Sequence, residues 1–85
     1  MKYDEVWSYP IDRISEYFMS RGAVSHGSTC SISNCLIDDV AIQLTALDDR
    51  EVGPISFPQT RVVIEGEKAE DVYHGFYLHF LSGGA

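Results

Sequence analysis

The sequence predicts a small α+β protein: a three-stranded antiparallel sheet with an N-terminal and a C-terminal helix on one face, in the order α-β-β-β-α. Three observations support this fold class. Apolar residues recur at helical spacing near both ends of the chain, residues 40–47 alternate between apolar and other side chains, and residues 61–65 form a short run rich in β-branched residues. With 85 residues, the chain is expected to form one domain, 1–85.

The first predicted element is a helix over residues 9–21. Ser8 can cap its first turn, and Pro10 is tolerated there because its missing N–H would have no helical partner. Gly22 then supplies a typical stop signal. One helical stripe collects the apolar side chains Ile11, Ile14, Tyr17 and Phe18.

A β-hairpin is predicted next, with strands at residues 29–37 and 40–47 joined by a turn at Asp38–Asp39. Both turn residues then need positive φ angles, which glycine adopts more readily, so a turn one or two residues earlier is an alternative. The later turn predicts three pairs on the core face: Ile37 with Val40, Cys35 with Ile42, and Ser33 with Leu44. The opposite face is mixed and carries more apolar area than a solvated face favours: Ile32, Leu36, Gln43, Thr45 and Leu47.

Three segments are predicted to lie outside the regular elements. Residues 1–7 are interpreted as a lead-in that packs Trp7, and residues 23–27 as a transition. Residues 48–59 are interpreted as a long connection, because Pro54 and Pro58 cannot donate hydrogen bonds to a central strand.

The last predicted elements are a strand at residues 60–65 and a helix at residues 67–81. The strand directs Val62 and Ile64 toward the core and Val63 outward. The helix buries one mostly aromatic stripe: Ala69, Val72, Tyr73, Phe76, Tyr77 and Phe80. Gly75 interrupts this helix at a cost of roughly 1 kcal/mol relative to alanine. A close backbone approach, for example by another subunit, would explain it, and so would simple tolerance of the glycine.

Charge narrows the choice of partners. The chain has 13 acidic and 6 basic residues, for a net charge of −7. Direct nucleic-acid binding requires a basic face that displaces counterions, and an anionic membrane surface attracts basic segments, so neither partner is expected. A basic protein partner suits this charge, because opposite charges steer association.

A cytoplasmic location is expected. The sequence has no apolar run of the roughly 18 residues that a membrane helix needs, and its first residues do not follow a signal-peptide pattern. Two cysteines are too few for a disulfide scaffold, which favours free thiols in a reducing compartment.

His26, Cys30 and Cys35 form the most suggestive chemical cluster, with His74 or His79 as a further ligand. The C-x4-C spacing lacks the short knuckle of a zinc site. Cys30 and Cys35 are also an odd number of positions apart, which points their thiols to opposite faces of a strand. The two later histidines lie about 140° apart around a helix. We therefore expect no metal, no cofactor and no enzymatic activity.

The function favoured by the sequence is regulation through protein–protein binding, with the chain itself expected to form a homodimer because so short a chain has a small core. Two hypotheses remain as alternatives: an acidic inhibitor that blocks the nucleic-acid-binding site of a basic partner, and a cysteine–histidine metal or thiol enzyme. The candidate partner-binding residues are apolar or acidic side chains at positions expected to be exposed: Phe57, Ile55, Val63, Leu36, Asp48, Asp49 and Glu51. The alternative for Phe57 is that its ring packs under the sheet and closes the core.

Overall fold

A computed structural model describes residues 1–29 and 31–81. Within these residues the elements are β1 (Lys2–Trp7), α1 (Ile11–Ser20), β2 (Val24–Ser28), β3 (Ile32–Ile37), β4 (Val40–Val52), β5 (Ile55–Glu65) and α2 (Ala69–Leu81). The strands form one five-stranded sheet in the order β1-β5-β4-β3-β2, and every neighbouring pair is antiparallel.

The predicted three-stranded sheet is therefore wrong, because β1 and β2 extend the sheet at its two edges. The helices begin two residues later than predicted, at Ile11 and Ala69. The element order is β-α-β-β-β-β-α, in which the first strand, β1, pairs with the last strand, β5.

Residues 2–7 form an edge strand, not a lead-in. The register of β1 on β5 runs from Lys2 opposite Glu65 to Trp7 opposite Thr60. Charged residues are tolerated on such an edge, and they hid the strand pattern. The side chains of alternate residues pack against α2: the Tyr3 ring stacks on Tyr73 with centroids 4.2 Å apart, and Trp7 meets Phe76 edge-on at 4.9 Å.

At the opposite edge, β2 replaces the predicted transition. All five residues of β2 are exposed, and its pairing with β3 is irregular between Ser25 and Ser28. Serine, histidine and glycine give β2 no apolar alternation, so it takes its strand conformation from the neighbouring β3.

The hairpin between β3 and β4 is confirmed. Asp38 and Asp39 have φ angles of 48° and 65°, as expected for a two-residue type I′ turn. The register contains the three predicted pairs: Ile37 with Val40, Cys35 with Ile42, and Ser33 with Leu44. All but Ile37 are buried, so the predicted core face of this hairpin is also confirmed.

Both helices lie on one face of the sheet, here called the helix face. The Phe18 ring of α1 stacks on Phe76 of α2 at 5.4 Å, and Phe76 also contacts Phe80. These rings share one core with strand residues that are almost completely buried: Cys35, Val40, Ile42, Leu44, Val62 and Ile64. The predicted inward direction of Val62 and Ile64 is thus confirmed.

Two glycines allow this packing. Gly66 has a φ angle of 149° between β5 and α2, and a Cβ there would lie 3.1 Å from the carbonyl oxygen of Asp39. A Cβ on Gly75 would lie 3.2 Å from the hydroxyl oxygen of Tyr17. The close approach at Gly75 is therefore made by α1 of the same chain.

The interpretation of residues 48–59 as a connection is wrong, because β4 continues to Val52 and β5 begins at Ile55. The prolines do not prevent this extension. Pairing between β1 and β5 ends at Thr60, so no residue of β1 lies opposite Pro58. On its other side, Pro58 lies opposite an irregularity of β4 between Leu47 and Arg50. Proline is tolerated at such edge and bulge positions, where no partner requires its N–H.

Candidate functional site

Residues 47–59 form a two-stranded projection, here called the ribbon. The β3 register ends with Ile32 opposite Thr45, and the β1 register ends with Trp7 opposite Thr60. Beyond these pairs, β4 and β5 pair with each other, from Leu47 opposite Gln59 to Val52 opposite Ile55. Within residues 1–29 and 31–81, no third strand pairs with either edge of the ribbon.

Nothing in the described part of the chain covers the ribbon. Every residue from 48 to 57 is exposed, which means that neither helix packs on its faces. An isolated two-stranded hairpin is marginally stable in water. The ribbon thus depends on its attachment to the sheet and contributes no residue to the core.

One face of the ribbon is apolar. Ile55 and Phe57 alternate with the buried side of β5, so they point away from the helix face. Val52 is the register partner of Ile55 and lies beside it. The exposed fractions of these three side chains are 52% for Val52, 55% for Ile55 and 41% for Phe57. Leu47, also exposed, extends the same face toward the sheet.

Three carboxylates accompany this apolar face. Asp48 and Asp49 lie at the bulge of β4, and Glu51 pairs with Ser56 on the other side of the ribbon. None of the three forms a salt bridge with a described residue, including neighbouring Arg50. The ribbon consequently presents apolar side chains and a net negative charge within the same few residues.

The second exposed area is the outer face of the sheet, opposite the helix face. A shallow groove of about 380 Å³ crosses it between Leu36 on β3 and Val63 on β5. His26, Gln43 and Glu65 also line this groove. Val63 is half-buried and points outward as predicted, whereas Leu36 is 36% exposed.

A salt bridge on the outer face joins β1 to β5. The Arg61 guanidinium donates two hydrogen bonds to the Asp4 carboxylate, one of them from Nε at 2.8 Å. These hydrogen bonds, with the positive charge of Arg61, hold the pKa of Asp4 below its usual range. The same hydrogen bonds, with the negative charge of Asp4, raise the pKa of Arg61. Both side chains are exposed, so this pair contributes little to stability.

A crevice of about 240 Å³ lies between the two helices, lined by Tyr17, Arg21, Asp71 and Gly75 among others. Its polar groups are at the surface, and it holds no buried unpartnered side-chain atom among the described residues. We assign it to helix packing, because its floor is formed by core residues such as Phe18.

The cysteine–histidine cluster gains no support from the geometry. Cys35 is buried on the helix face, and burial raises the pKa of its thiol, which disfavours the reactive thiolate. His26 lies exposed on β2, while Cys30 falls outside the described residues. Within residues 1–29 and 31–81, no three histidine, cysteine or acidic side chains are grouped as metal ligands.

The ribbon brings together five of the seven predicted binding residues: Phe57, Ile55, Asp48, Asp49 and Glu51. Val63 and Leu36 lie on the outer face instead. Sequence reasoning missed Val52 and Leu47, which share the apolar side of the ribbon. The period-two spacing of Ile55, Phe57 and Gln59 could have indicated the strand, but Pro58 argued against it.

Three aromatic residues near the N-terminus, Tyr3, Trp7 and Tyr9, make their ring contacts within the chain. Tyr9 contacts Phe80 at 4.8 Å between ring centroids, and its hydroxyl donates to the Phe80 carbonyl at 3.0 Å. Trp7 and Tyr3 likewise pack on α2, whereas Val52, Ile55 and Phe57 of the ribbon stay exposed.

No protein-family model matches this chain, and no curated protein matches its sequence. Among the described residues, neither helix is long and apolar enough to span a membrane.

Proposed function

We propose that this protein acts by binding another protein, with the ribbon as the principal contact and the outer face of the sheet as a secondary one. The observation that supports this proposal is the exposed apolar side of the ribbon, with Val52, Ile55 and Phe57 in adjacent positions. The proposal places the protein in the cytoplasm and assigns it no catalytic role.

The physical reason lies in the cost of keeping this surface wet. Completely burying one valine, isoleucine or phenylalanine side chain contributes about 1.5–3 kcal/mol. The ribbon leaves much of this free energy unused, although the same chain buries Phe76 and Phe18 almost completely. A partner that covers the ribbon would gain that free energy on binding.

Aromatic and aliphatic anchors surrounded by polar groups are also typical of protein interfaces. Phe57 would be the central anchor, since it is the largest exposed apolar side chain of the ribbon and has Arg50 as its cross-strand neighbour. The open edges of β4 and β5 offer additional backbone hydrogen bonds to an extended segment of the partner.

Site-specific photo-crosslinking in cells of the natural source tests this proposal. A benzophenone amino acid is introduced at Ile55 or Phe57, with Leu78 as a matched control because its side chain is 52% exposed on α2. We expect covalent adducts from positions 55 and 57 and none from position 78. Adducts at all three positions in equal yield, or at none, would contradict the proposal.

The mass of the adduct separates the hypotheses that the sequence leaves open. An adduct of two copies of the chain would identify the predicted homodimer, and a heavier or lighter product would identify a different protein. The acidic-inhibitor hypothesis further predicts that nucleic acid competes with this protein for its partner. Solution mass by light scattering provides an independent measurement of self-association.

A further inference from the structure

The two sides of the ribbon differ in chemistry. The register pairs Arg50 with Phe57 and Val52 with Ile55 on one side, and Glu51 with Ser56 on the other. Asp48 and Asp49 add two exposed carboxylates at the bulge, where β4 carries one residue more than β5. An apolar patch and a set of carboxylates therefore occupy the same narrow projection.

The charge of the ribbon is unbalanced locally and globally. Its three carboxylates and one guanidinium give residues 47–59 a net charge of −2, within a chain of net charge −7. No salt bridge to a described residue neutralises these carboxylates. The field of the remaining acidic residues reinforces them, so an approaching positive surface is attracted and a negative one is repelled.

We propose that the ribbon binds a basic protein, inserting Val52, Ile55 and Phe57 into an apolar cleft whose rim carries lysine or arginine side chains that pair with Asp48, Asp49 and Glu51. This inference rests on the proposed function and specifies its partner. The apolar contacts supply affinity, and the carboxylates supply orientation and rapid association.

A second copy of the chain is a poorer occupant on electrostatic grounds. Two chains that each carry a charge of −7 repel, and ribbons packed face to face would bring six carboxylates together, three from each copy. Only Arg50 from each ribbon could offset them there. A partner with positive charge relieves this repulsion instead of adding to it.

The test uses the 85-residue chain, immobilised and exposed to total protein extract from its natural source at low and moderate salt. One ribbon variant combines Ile55→Ser and Phe57→Ser, with Leu78→Ser and Leu81→Ser as the control for exposed apolar residues on α2. Retained proteins are identified and quantified by mass spectrometry. Circular dichroism establishes that each variant remains folded.

A second ribbon variant removes charge through Asp48→Asn, Asp49→Asn and Glu51→Gln, which changes the net charge from −7 to −4. Its control makes the same change with exposed residues outside the ribbon, through Glu16→Gln, Glu67→Gln and Glu70→Gln. The two variants have equal net charge, so any difference between them reports where the carboxylates lie.

We expect one positively charged protein that both controls retain and that each ribbon variant retains at least tenfold less. Its retention by the native protein should fall with added salt, and the charge variant should show a weaker salt dependence. If retention falls in the variant with Ile55→Ser and Phe57→Ser but is unchanged in the charge variant and at higher salt, this inference is overturned and the proposed function stays intact. Capture of a second copy would also overturn it. Equal retention by all variants, or no retained protein, would overturn both proposals.

Discussion

The two faces of the sheet are built from the same strands, but the helix face is buried and the outer face is largely exposed. On the helix face, Ile42 and Ile64 are register partners and almost completely buried. The next residue of β4, Gln43, pairs with the preceding residue of β5, Val63, on the outer face. There Gln43 is exposed and Val63 is half-buried. Strand alternation alone separates the core from the free surface.

The contrast becomes larger toward the ribbon. The strands are covered by helices up to the level of Thr60, whose hydroxyl donates to the Tyr9 carbonyl at 2.7 Å. Past that point both sides of β5 are open, and the apolar side chains of Ile55 and Phe57 remain in water. Apolar residues stabilise the fold on one side of this boundary, and on the other they stay exposed.

The largest expected effect comes from comparing a phenylalanine on each side of that boundary. Phe76→Ala removes a completely buried ring that contacts Trp7, Tyr17, Phe18 and Phe80. We expect a loss of about 3–5 kcal/mol in the free energy of unfolding. Phe57→Ala should change that free energy by no more than about 0.5 kcal/mol. Urea denaturation measures both, and similar losses would show that the ribbon belongs to the core.

A smaller effect is expected where the helices approach each other. Gly75→Ala should gain up to about 1 kcal/mol from helix propensity. Part of this gain is offset in the native chain, because the new Cβ lies 3.2 Å from the Tyr17 hydroxyl oxygen. We therefore expect the substitution to be more stabilising in a Tyr17→Phe background. Denaturation of the four variants in a double-mutant cycle measures this coupling, and an equal effect in both backgrounds would rule it out.

The third prediction concerns pH at the edge of the helix face. Burial, together with a 2.7 Å hydrogen bond from the Tyr73 hydroxyl to Glu5 Oε1, raises the pKa of Tyr73 to about 12. The unfolded chain loses this proton near pH 10, while the folded chain retains it. The unfolded state therefore binds fewer protons between about pH 10 and 12, and stability should fall across that window.

Denaturation at several pH values above 9, combined with absorbance of the phenolate, measures this linkage. Tyr73→Phe should reduce the decline and remove the phenolate absorbance that appears near pH 12. Tyr77→Phe is the matched control from the same helix, with its ring more exposed. If both variants decline as steeply as the native protein, Tyr73 does not carry the effect.

Several parts of the fold followed from local patterns. The helical stripes predicted α1 and α2, and the alternation from Val40 to Ala46 predicted the hairpin with its register. That register also placed Leu36 on the outer face. These elements could be predicted because their own side chains distinguish a buried side from an exposed one.

The candidate site was predicted less completely. Phe57, Ile55 and the three carboxylates were identified as exposed binding residues, but they were assigned to an irregular connection. Pro58 suggested that assignment, since proline is excluded from a strand with partners on both sides. The length of β1 removes this objection, because β1 ends opposite Thr60 and leaves Pro58 on an open edge.

The sequence by itself determined the helices, the Asp38–Asp39 hairpin and the strong negative charge, because periodicity and composition are properties of short segments. The tertiary structure decided that β1 and β2 join the sheet, that Tyr17 is the neighbour that fills the space beside Gly75, and that the ribbon projects uncovered. A segment becomes an edge strand when a neighbouring strand offers it backbone groups for hydrogen bonding. A pair of strands projects from the sheet when the strands beside it end first. Neither property is encoded in the side-chain pattern of the segment itself.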